Sequence, residues 1–545
     1  MLDNILASIY VRRDSHENGM TLQEYADAVI AGTQPVLEHD QFVYQFGAIQ
    51  DEIDLVINWA QANGLTVVES HQGMAVVKVI GSADQYNSLF GITLCEETID
   101  NRTYVTHFES LTVPSEINDV VQSVLGLDNT PYFVPSAIEV EAIDPNQLDP
   151  NLITPTTQDL TRVYKFPGTP RDYQKQGKSC VVGFISLSGG YTTNNLTSAF
   201  TYNKIYTNPE IVTVQVDGGG GDVNNDPSGG NPENMLDIIC IGCGIPAGKI
   251  VMYSAPNSFS SFVNAVSACA NDTTNRPSVL SISWGTYDTT FASYGVLTTM
   301  DTAFQSCLVK GITPVAASGD FGVRAINGGG TYTLNHPSTS PYVLAAGGSV
   351  VSINDDYSIA SEQPWGTAGG SYAAGGGVST IYPVPSWQTG LTSKLYPSGT
   401  VSALTGRGTP DFSMMATGYV VYYGPSNSSG NFVGTSATAP LMAGLIARIN
   451  ELTGVRMGLP MPVWYAQGTN AFNDLTTGDN HGGNTVGYQA NAGWDCASGL
   501  GTPIGTEIYK IYKKGSGSIF PKLNENRRPS SGQVYPRRVT IYTNR

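Results

Sequence analysis

The first part of the chain mixes helical and strand-like hydrophobic patterns. Apolar residues three or four positions apart predict three helices, around residues 53–60, 86–90 and 117–124. The runs LTVVES and MAVVKVI, which follow the first of these helices, are rich in β-branched residues and predict two strands. Residues 1–138 are therefore expected to form a small α/β domain.

A segment without apolar periodicity follows this domain. Residues 139–157 (EVEAIDPNQLDPNLITPTT) contain three prolines and four acidic residues. Such a composition is typical of an exposed linker. We expect a protease to reach this segment, so it is the predicted processing linker.

Strand-like apolar runs recur through residues 158–513. The runs CVVGFISL, KIVMYSA, SVLSISW, ITPVAAS and PYVLAAGG alternate with helical stretches, as in a buried parallel sheet with helical crossovers. Residues 514–545 have few apolar positions and contain basic pairs, which predicts a flexible tail. The tail would either bind an acidic partner or simply remain solvated.

The charge of the chain is strongly acidic and unevenly distributed. The formal net charge is -18; nine basic residues and one acidic residue lie from Tyr509 onward, so the remainder carries -26. An acidic body repels nucleic acid and anionic membranes, so neither is expected as a partner. Protonation of carboxylates would bring this charge toward zero, which suits a protein that works in acid.

The sequence shows no membrane span, secretory signal, disulfide framework or four-cysteine zinc site. No apolar run reaches the roughly 20 residues that span a bilayer, and the opening residues do not resemble a secretory signal. Seven cysteines with one CxxC, Cys240 and Cys243, fit neither a disulfide framework nor a four-cysteine zinc site. Buried thiols are the expected state.

The stretch GTSATAP, residues 434–440, is the first candidate for chemistry. Ser436 lies between a Gly-Thr turn and a small-residue apolar helix, where a nucleophile would be held at a helix start. A serine hydroxyl needs a neighbouring base, usually histidine. His336 and His481 lie in loop-like stretches and the other four histidines lie in the N-terminal domain, so the base of Ser436 is expected to be a different residue type.

Two acidic residues in NPENMLD offer that base. Pro232 fits the first turn of a helix that Asn231 would cap, which puts Glu233 and Asp237 on one face, about 5 to 6 Å apart. Two carboxyls so close share a proton, and one then orients the other. The alternative is an ordinary capped helix with acids near its positive end.

A third acid, Asp320, follows the predicted strand ITPVAAS in the sequence AASGDFG. The carboxyl edge of an open α/β sheet is where ligands bind. A protonated aspartic acid at that edge would donate a hydrogen bond to a developing oxyanion. A plain Ser-Gly-Asp turn is the alternative.

Taken together, these motifs resemble the sedolisins, the serine-carboxyl peptidases. The order Glu233-x-x-x-Asp237, Ser318-Gly319-Asp320 and Gly434-Thr435-Ser436 is similar to the three catalytic blocks of that family, and SISWG and GRGTPDFS are also family-like. The resemblance implies a subtilisin-like α/β fold, with a parallel sheet flanked by helices and a small α/β prodomain before it. It also implies that Ser436 is the nucleophile, that Glu233 is the base and Asp237 its orienting partner, and that Asp320 is the oxyanion donor. The substrate cleft would be lined by Ser283, Trp284 and Gly285.

The resemblance extends to both ends of the chain. FNDLTTGDN and NAGWDCASGLGTP resemble the family's site for one calcium ion, with the Asp474 and Asp495 side chains and the carbonyls of Leu475, Asn491 and Gly493 as ligands; a Gly/Asn-rich turn region is the alternative. GSADQYNSLFGITL and VPSEINDVVQSVLGLD resemble the family's activation domain. This implies a zymogen whose prodomain blocks its own cleft, and an extracellular or acidic compartment.

The expected function is therefore acid-active hydrolysis of protein or peptide bonds, by endopeptidase or tripeptidyl-peptidase action. Phe321 stands at a position that is often small in the family. Two other classes remain open: an idle sedolisin-like binding or structural protein, and a serine esterase or amidase. The latter normally carries G-x-S-x-G and a downstream histidine, where this chain has GTSAT.

Overall fold

The computed structural model describes residues 2–13, 19–99, 101–141, 154–168, 176–324, 333–367 and 370–514. Most of the predicted linker and the tail beyond Lys514 lie outside these ranges. The N-terminal domain consists of β1 (Ile5–Val11), α1 (Leu22–Ile30), α2 (His39–Phe46), α3 (Gln50–Ala62), β2 (Thr66–His71), β3 (Val76–Gly81), α4 (Ala83–Phe90), β4 (Cys95–Ile99), β5 (Arg102–Thr106) and β6 (Val121–Leu125).

The N-terminal domain is built on an antiparallel sheet of order β2-β3-β1-β6. Alternate residues of β1 point to opposite faces: Ile9 packs with Val77 and the helices into the domain's own core. Tyr10, on the other face, belongs to the core of the following domain. The sheet is therefore buried on both sides.

One predicted helix of this domain is wrong. Residues 117–124 form a turn followed by β6, whose Val124 pairs with Ile9 of β1. Four apolar residues at helical spacing also fit a turn plus strand, and β-branched valines favour the pleated surface of an open sheet edge. The other two predicted helices correspond to α3 and α4, and the two predicted strands to β2 and β3.

The rest of the described chain forms the larger domain. Its elements are β7 (Val134–Pro135), β8 (Ile138–Val140), α5 (Thr157–Val163), β9 (Val181–Ser186), α6 (Thr193–Tyr202), β10 (Glu210–Gln215), α7 (Gly230–Gly244), β11 (Lys249–Ser254), α8 (Phe259–Asn271), β12 (Val279–Ile282), β13 (Trp284–Tyr287), α9 (Asp288–Ser293), α10 (Leu297–Val309), β14 (Thr313–Ala317), β15 (Asn335–His336), β16 (Leu344–Ile353), β17 (Ile359–Pro364), β18 (Gly377–Val378), β19 (Thr392–Tyr396), β20 (Val401–Ala403), β21 (Gly408–Thr409), β22 (Phe412–Met415), β23 (Tyr419–Tyr423), β24 (Ser428–Val433), α11 (Thr438–Thr453), α12 (Met461–Gln467), β25 (Phe472–Asn473), β26 (Gly487–Tyr488), β27 (Thr502–Pro503) and α13 (Gly505–Lys514).

The main sheet confirms the predicted fold class. Its order is β10-β11-β9-β12-β14-β16, all parallel, and β16 continues to β22 in parallel and to β17 in antiparallel. All five apolar runs singled out in the sequence are strands of this sheet. Because parallel strands end at one edge, the residues that follow β12 and β14 meet there.

Two helices pack against this sheet side by side. The backbones of α7 and α11 approach so closely that a Cβ on Gly244 would lie 2.7 Å from the Cα of Gly444. The Arg448 guanidinium of α11 donates to the carbonyl of Gly244 at 2.6 Å. This contact fixes the two helices relative to each other.

The N-terminal domain docks on helix α8 and the loop after β10. Tyr10 donates to Asn264 at 2.7 Å, and Lys78 forms an ion pair of 2.7 Å with Asp217. Both members of that pair are buried, with 6% and 1% of their side chains exposed. The interface is thus polar at its centre and satisfied in hydrogen bonds.

Two sequence predictions concern whole-chain properties. None of the seven cysteines, all within the described ranges, forms a disulfide. Among the described residues, no helix is both long and apolar enough to cross a bilayer.

Candidate active site

Ser436 lies two residues before α11 and is fully buried. Its backbone N–H donates to the carbonyl of Ser136 at 3.2 Å, and its hydroxyl donates to the same carbonyl. A Cβ on Gly434 would lie 1.9 Å from that carbonyl oxygen. Only glycine at 434 leaves room for a carbonyl group beside Ser436.

Helix α7 carries Glu233 and Asp237 in its first two turns, as predicted. The helix begins two residues earlier than expected, at Gly230 after the cap position Gly229, and the Asp226 carboxylate accepts from the amides of Gly230 at 2.5 Å and Asn231 at 2.8 Å. The prediction that Asn231 caps α7 is therefore wrong. The Asn231 side chain instead accepts from the amide of Gly190, because the loop before the helix brings a carboxylate to its amides.

The carboxyls of Glu233 and Asp237 are both fully buried. Burial raises the pKa of Glu233 well above its usual range, and the charges of Asp237 and Asp320 raise it further; the hydroxyls of Ser436 and Ser283 oppose the shift. Burial also raises the pKa of Asp237. Two buried carboxyls that interact in this way titrate together as a pair.

Ser283 connects this pair to the cleft. Its hydroxyl donates to Oδ1 of Asp237 at 2.7 Å, and its carbonyl accepts from the amide of Ser136 at 2.9 Å. Glu233 has no hydrogen bond to either oxygen among the described residues. The Glu233 carboxyl group is therefore free to accept a proton from a nearby hydroxyl.

Asp320 follows β14 and lies beside Ser436, as the sequence order predicts. Its Oδ1 accepts from the amide and the hydroxyl of Thr435, both at 2.8 Å. Its Oδ2 is buried without a partner among the described residues, and it lies 2.8 Å from the position of a Cβ on Gly434. Burial raises the pKa of Asp320 to about 7, so the group is neutral in acid.

A piece of the chain itself occupies the cleft. Strand β7 pairs antiparallel with β13, with Pro135 opposite Trp284 and Val134 opposite Gly285. Strand β8 pairs antiparallel with β24. Between these two strands, the carbonyl of Ser136 points at Ser436. The predicted cleft residues thus pair with the chain's own residues 134–136.

None of the five histidines that the structure describes lies in this cluster as a base. His336 is fully buried, and its Nδ1 lies 3.0 Å from the hydroxyl of Thr339. Its ring packs on Phe291 and Tyr382. Burial lowers the pKa of His336 to about 3.

The predicted calcium ligands lie close together. The Asp474 carboxylate accepts from the amide of Gly493 at 2.9 Å, and the Asp495 carboxylate accepts from the amide of Asn491 at 2.9 Å. Among the described residues, no group of three His, Cys, Asp or Glu side chains is arranged for a metal. Oδ1 of Asp474 is buried without a partner in the described chain, and Leu475 follows it directly, itself buried.

Sequence reasoning missed three residues of this site: Ser136, Asp226 and Thr435. Asp226 stands four residues before the helix, and an acid just ahead of a helix start is a usable signal for a cap. Thr435 lies inside a motif already singled out. Ser136 carries no local signal, because its position results from long-range strand pairing.

Comparisons with known proteins show similarity over most of the chain. Residues 7–130 match the Pro-kumamolisin activation domain, and residues 223–455 match the Subtilase family. Kumamolisin from Bacillus sp. (strain MN-32) is 33% identical over 513 residues, which cover 92% of this chain and 91% of that protein. Sedolisin from Pseudomonas sp. (strain 101) is 26% identical over 491 residues, covering 86% of this chain and 80% of that protein.

A solved structure shows the same fold. Pseudomonas sedolisin complexed with two molecules of pseudo-iodotyrostatin superimposes with a TM-score of 0.57 at 24% identity, over 67% of this chain and 99% of that one. The chain therefore belongs to the family of kumamolisin and sedolisin, serine-type peptidases with a subtilisin-like fold that are made as zymogens with an activation domain.

Proposed function

We propose that Ser436, Glu233, Asp237 and Asp320 together hydrolyse peptide bonds in acid. The observation that carries this proposal is the carbonyl of Ser136, held by the amide and hydroxyl of Ser436 beside the unpaired Oδ2 of Asp320. A peptide carbonyl in that position is the substrate of an acyl-transfer site.

In the proposed reaction, Oγ of Ser436 forms a bond to the carbonyl carbon while its proton passes to Glu233. The negative charge that develops on the carbonyl oxygen is stabilised by the Ser436 amide and by the protonated Oδ2 of Asp320. Glu233 then delivers the proton to the leaving nitrogen, the C–N bond breaks, and water hydrolyses the acyl-enzyme. Asp237, which accepts a hydrogen bond from Ser283, carries the proton of the Glu233–Asp237 pair, so that Glu233 is ionised and can act as the base.

The protonation states set the pH range. Asp320 must be neutral to donate, so activity is expected to fall as pH rises through about 7, the value to which burial raises its pKa. Full protonation of the Glu233–Asp237 pair removes the base, so activity also falls on the acid side, and because burial raises both pKa values this fall begins above the usual pH range of carboxyl titration. Two such groups give a bell-shaped profile with its maximum in acid.

We infer that the first bond cleaved is Ser136–Ala137, in the same chain. The segment pairs with β13 before this bond and with β24 after it, as a bound substrate would. The bond precedes the predicted linker 139–157, whose middle lies outside the described residues. Cleavage would free the activation domain, which until then blocks the cleft.

The same segment favours endopeptidase over tripeptidyl-peptidase action. A tripeptidyl peptidase needs a cleft that closes three residues before the bond. Here the chain passes that point and continues into the N-terminal domain through Phe133. The cleft is therefore open to long chains on the N-terminal side of the bond.

We also propose one calcium ion near the C-terminal end. Calcium binds oxygen ligands. Oδ1 of Asp474 is buried and has no hydrogen-bond partner among the described residues, so a bound cation would supply the missing partner. The Asp474 and Asp495 side chains, with the carbonyls of Leu475, Asn491 and Gly493, would hold the ion. Bound calcium would tie two loops together; it takes no part in the reaction.

The test is acid incubation of the purified full-length chain, with Ser436→Ala and Glu233→Gln as controls. We expect mass spectrometry to show cleavage after Ser136, and peptide hydrolysis to peak below neutral pH, with both lost in each variant. Cleavage that persists in Ser436→Ala, or activity that peaks above neutral pH, would exclude the proposed site. An intact, inactive wild-type chain at every pH would favour an idle binding protein.

A further inference from the structure

Thr435 contacts the Asp320 carboxyl through both its backbone amide and its side-chain hydroxyl. Its amide and its hydroxyl both lie 2.8 Å from Oδ1 of Asp320. The hydroxyl oxygen also accepts from the amide of Gly319 at 3.0 Å, and it lies 3.1 Å from the Gly319 carbonyl. Thr435 and Gly319 are fully or almost fully buried in the described structure, so water does not compete for these bonds.

This arrangement makes the two oxygens of the carboxyl group unequal. Oδ1 receives an amide N–H, which can only donate, and it faces a hydroxyl that accepts from the Gly319 amide and lies nearer to Oδ1, at 2.8 Å, than to the Gly319 carbonyl, at 3.1 Å. Oδ2 has no hydrogen-bond partner among the described residues, and both it and the carbonyl oxygen of Ser136 lie next to Gly434, at 2.8 Å and 1.9 Å from the position of a Cβ there. An oxygen that accepts two hydrogen bonds is best satisfied as the C=O of a carboxylic acid.

We propose that Thr435 is a positioning residue that keeps the proton of Asp320 on Oδ2, where it donates to the carbonyl oxygen of the substrate. Without the Thr435 hydroxyl, the acid could place its proton on Oδ1 or turn over, and the donor would then point away from the oxyanion. This inference rests on the proposed role of Asp320. It adds a residue that never touches substrate through its side chain.

Other charged groups also face Asp320. Glu233 interacts with it from α7, and Asp237 lies behind Glu233. None of these groups donates to Oδ1, so Thr435→Val removes the hydroxyl's contacts with Asp320 and Gly319 and leaves the amide contact to Oδ1 in place.

The experiment compares Thr435→Val, which removes the hydroxyl at nearly constant shape, with Thr435→Ser, which keeps it. The substrate is a quenched peptide with the sequence FVPSAIE, residues 133–139. For Thr435→Val we expect kcat to fall about tenfold, less than the roughly 100 to 1,000-fold loss of a whole oxyanion donor, with KM within about twofold. The hydroxyl also stabilises the ionised acid, so the alkaline limb of kcat should move to higher pH.

A second readout does not need catalysis. Infrared spectra are recorded for the inactive Ser436→Ala chain and for the same chain that also carries Asp320→Asn. The difference between the two spectra isolates the C=O stretch of protonated Asp320. Adding Thr435→Val should move this band to higher wavenumber, because the C=O loses a hydrogen bond. Thr435→Ala serves the same comparison if valine prevents folding.

The outcomes separate this inference from the proposed function. An active wild type, a slow Thr435→Val and a Thr435→Ser within about threefold of wild type in kcat would support it. Wild-type kcat in Thr435→Val, an unmoved infrared band, or a Thr435→Ser as slow as the valine variant would overturn it. A wild type without peptidase activity, with the infrared band still shifted, would refute the proposed function while keeping the proton on Oδ2.

Discussion

The buried ion pair between Lys78 and Asp217 should hold the activation domain on the peptidase domain. Burial alone would lower the pKa of Lys78, but Asp217 and Glu69 raise it above its ordinary value, so the ammonium stays charged. Lys78 thus has two carboxylates: Asp217 at 2.7 Å across the interface, 1% exposed, and Glu69 at 2.9 Å within its own sheet, 45% exposed. The chain therefore supplies its own matched control.

Asp217→Asn and Glu69→Gln should have very different effects. Removing one partner of a buried pair costs about 3 to 5 kcal/mol; since Glu69 still contacts Lys78, we expect the lower end, about 3 kcal/mol or roughly 100-fold in affinity. Glu69→Gln should cost about 0 to 1 kcal/mol, as an exposed pair does. Asp217 has a φ of 51°, and asparagine tolerates that conformation, so the substitution adds no backbone strain.

The assay uses the Ser436→Ala chain with a specific protease site inserted within residues 142–153. Cutting this site leaves two fragments held together without a covalent bond, and dilution then measures their Kd at neutral pH. We expect Asp217→Asn to raise Kd roughly 100-fold and Glu69→Gln less than about fivefold. Equal effects of the two variants, or a change under fivefold in Asp217→Asn, would refute the reasoning that burial decides the strength of the pair.

Three further predictions concern other buried acids. Asp320→Ala should lower kcat about 100 to 1,000-fold. Asp320→Asn should lower kcat less, and its activity should not fall near pH 7, because its amide would donate from the Oδ2 position. Equal losses of kcat in the two variants, measured across pH, would contradict this. Burial raises the pKa of Glu362 to about 7, so its contribution to stability is complete below its ordinary pKa and is lost as pH rises through about 7. Glu362→Gln in the Ser436→Ala chain should therefore reduce the loss of unfolding free energy between pH 5 and 8 by on the order of 3 kcal/mol, seen by urea denaturation; an unchanged pH dependence would argue against it. Calcium should raise the Tm of the Ser436→Ala chain but not of the same chain carrying Asp474→Asn, and an equal rise in both would exclude Asp474 as a ligand.

Local patterns predicted the catalytic helix and strand ends well. Glu233 and Asp237 share a helix face because their spacing follows from helix geometry alone, and Asp320 follows β14 because an apolar run of that length, ended by Ser-Gly, is a buried strand. The parallel sheet could be predicted for the same reason. Its strands read as continuous apolar runs.

Two of the failures, at Val124 and Ser136, have a common physical cause, which is pairing with distant parts of the chain. Val124 is at helical spacing but pairs with Ile9, more than a hundred residues away. Asn231 fails for a local reason: it is a good cap by residue type, but the helix starts earlier and the Asp226 carboxylate accepts from its first amides, those of Gly230 and Asn231. Ser136 reaches Ser436 only because two separate strands hold the segment on either side of it. A single sequence carries no local mark of such pairings.

The glycine contact between α7 and α11 gives the active site a remote point of sensitivity. Gly244 is eleven residues beyond Glu233, roughly 16 Å along the helix at 1.5 Å per residue. A methyl group on it would meet the backbone of Gly444 at 2.7 Å, so one helix would have to move away from the other. The distance between Glu233 and Ser436, the proposed base and nucleophile, is thus governed in part by two absent side chains. Sequence variation at those positions would then change turnover without altering any residue proposed to touch substrate.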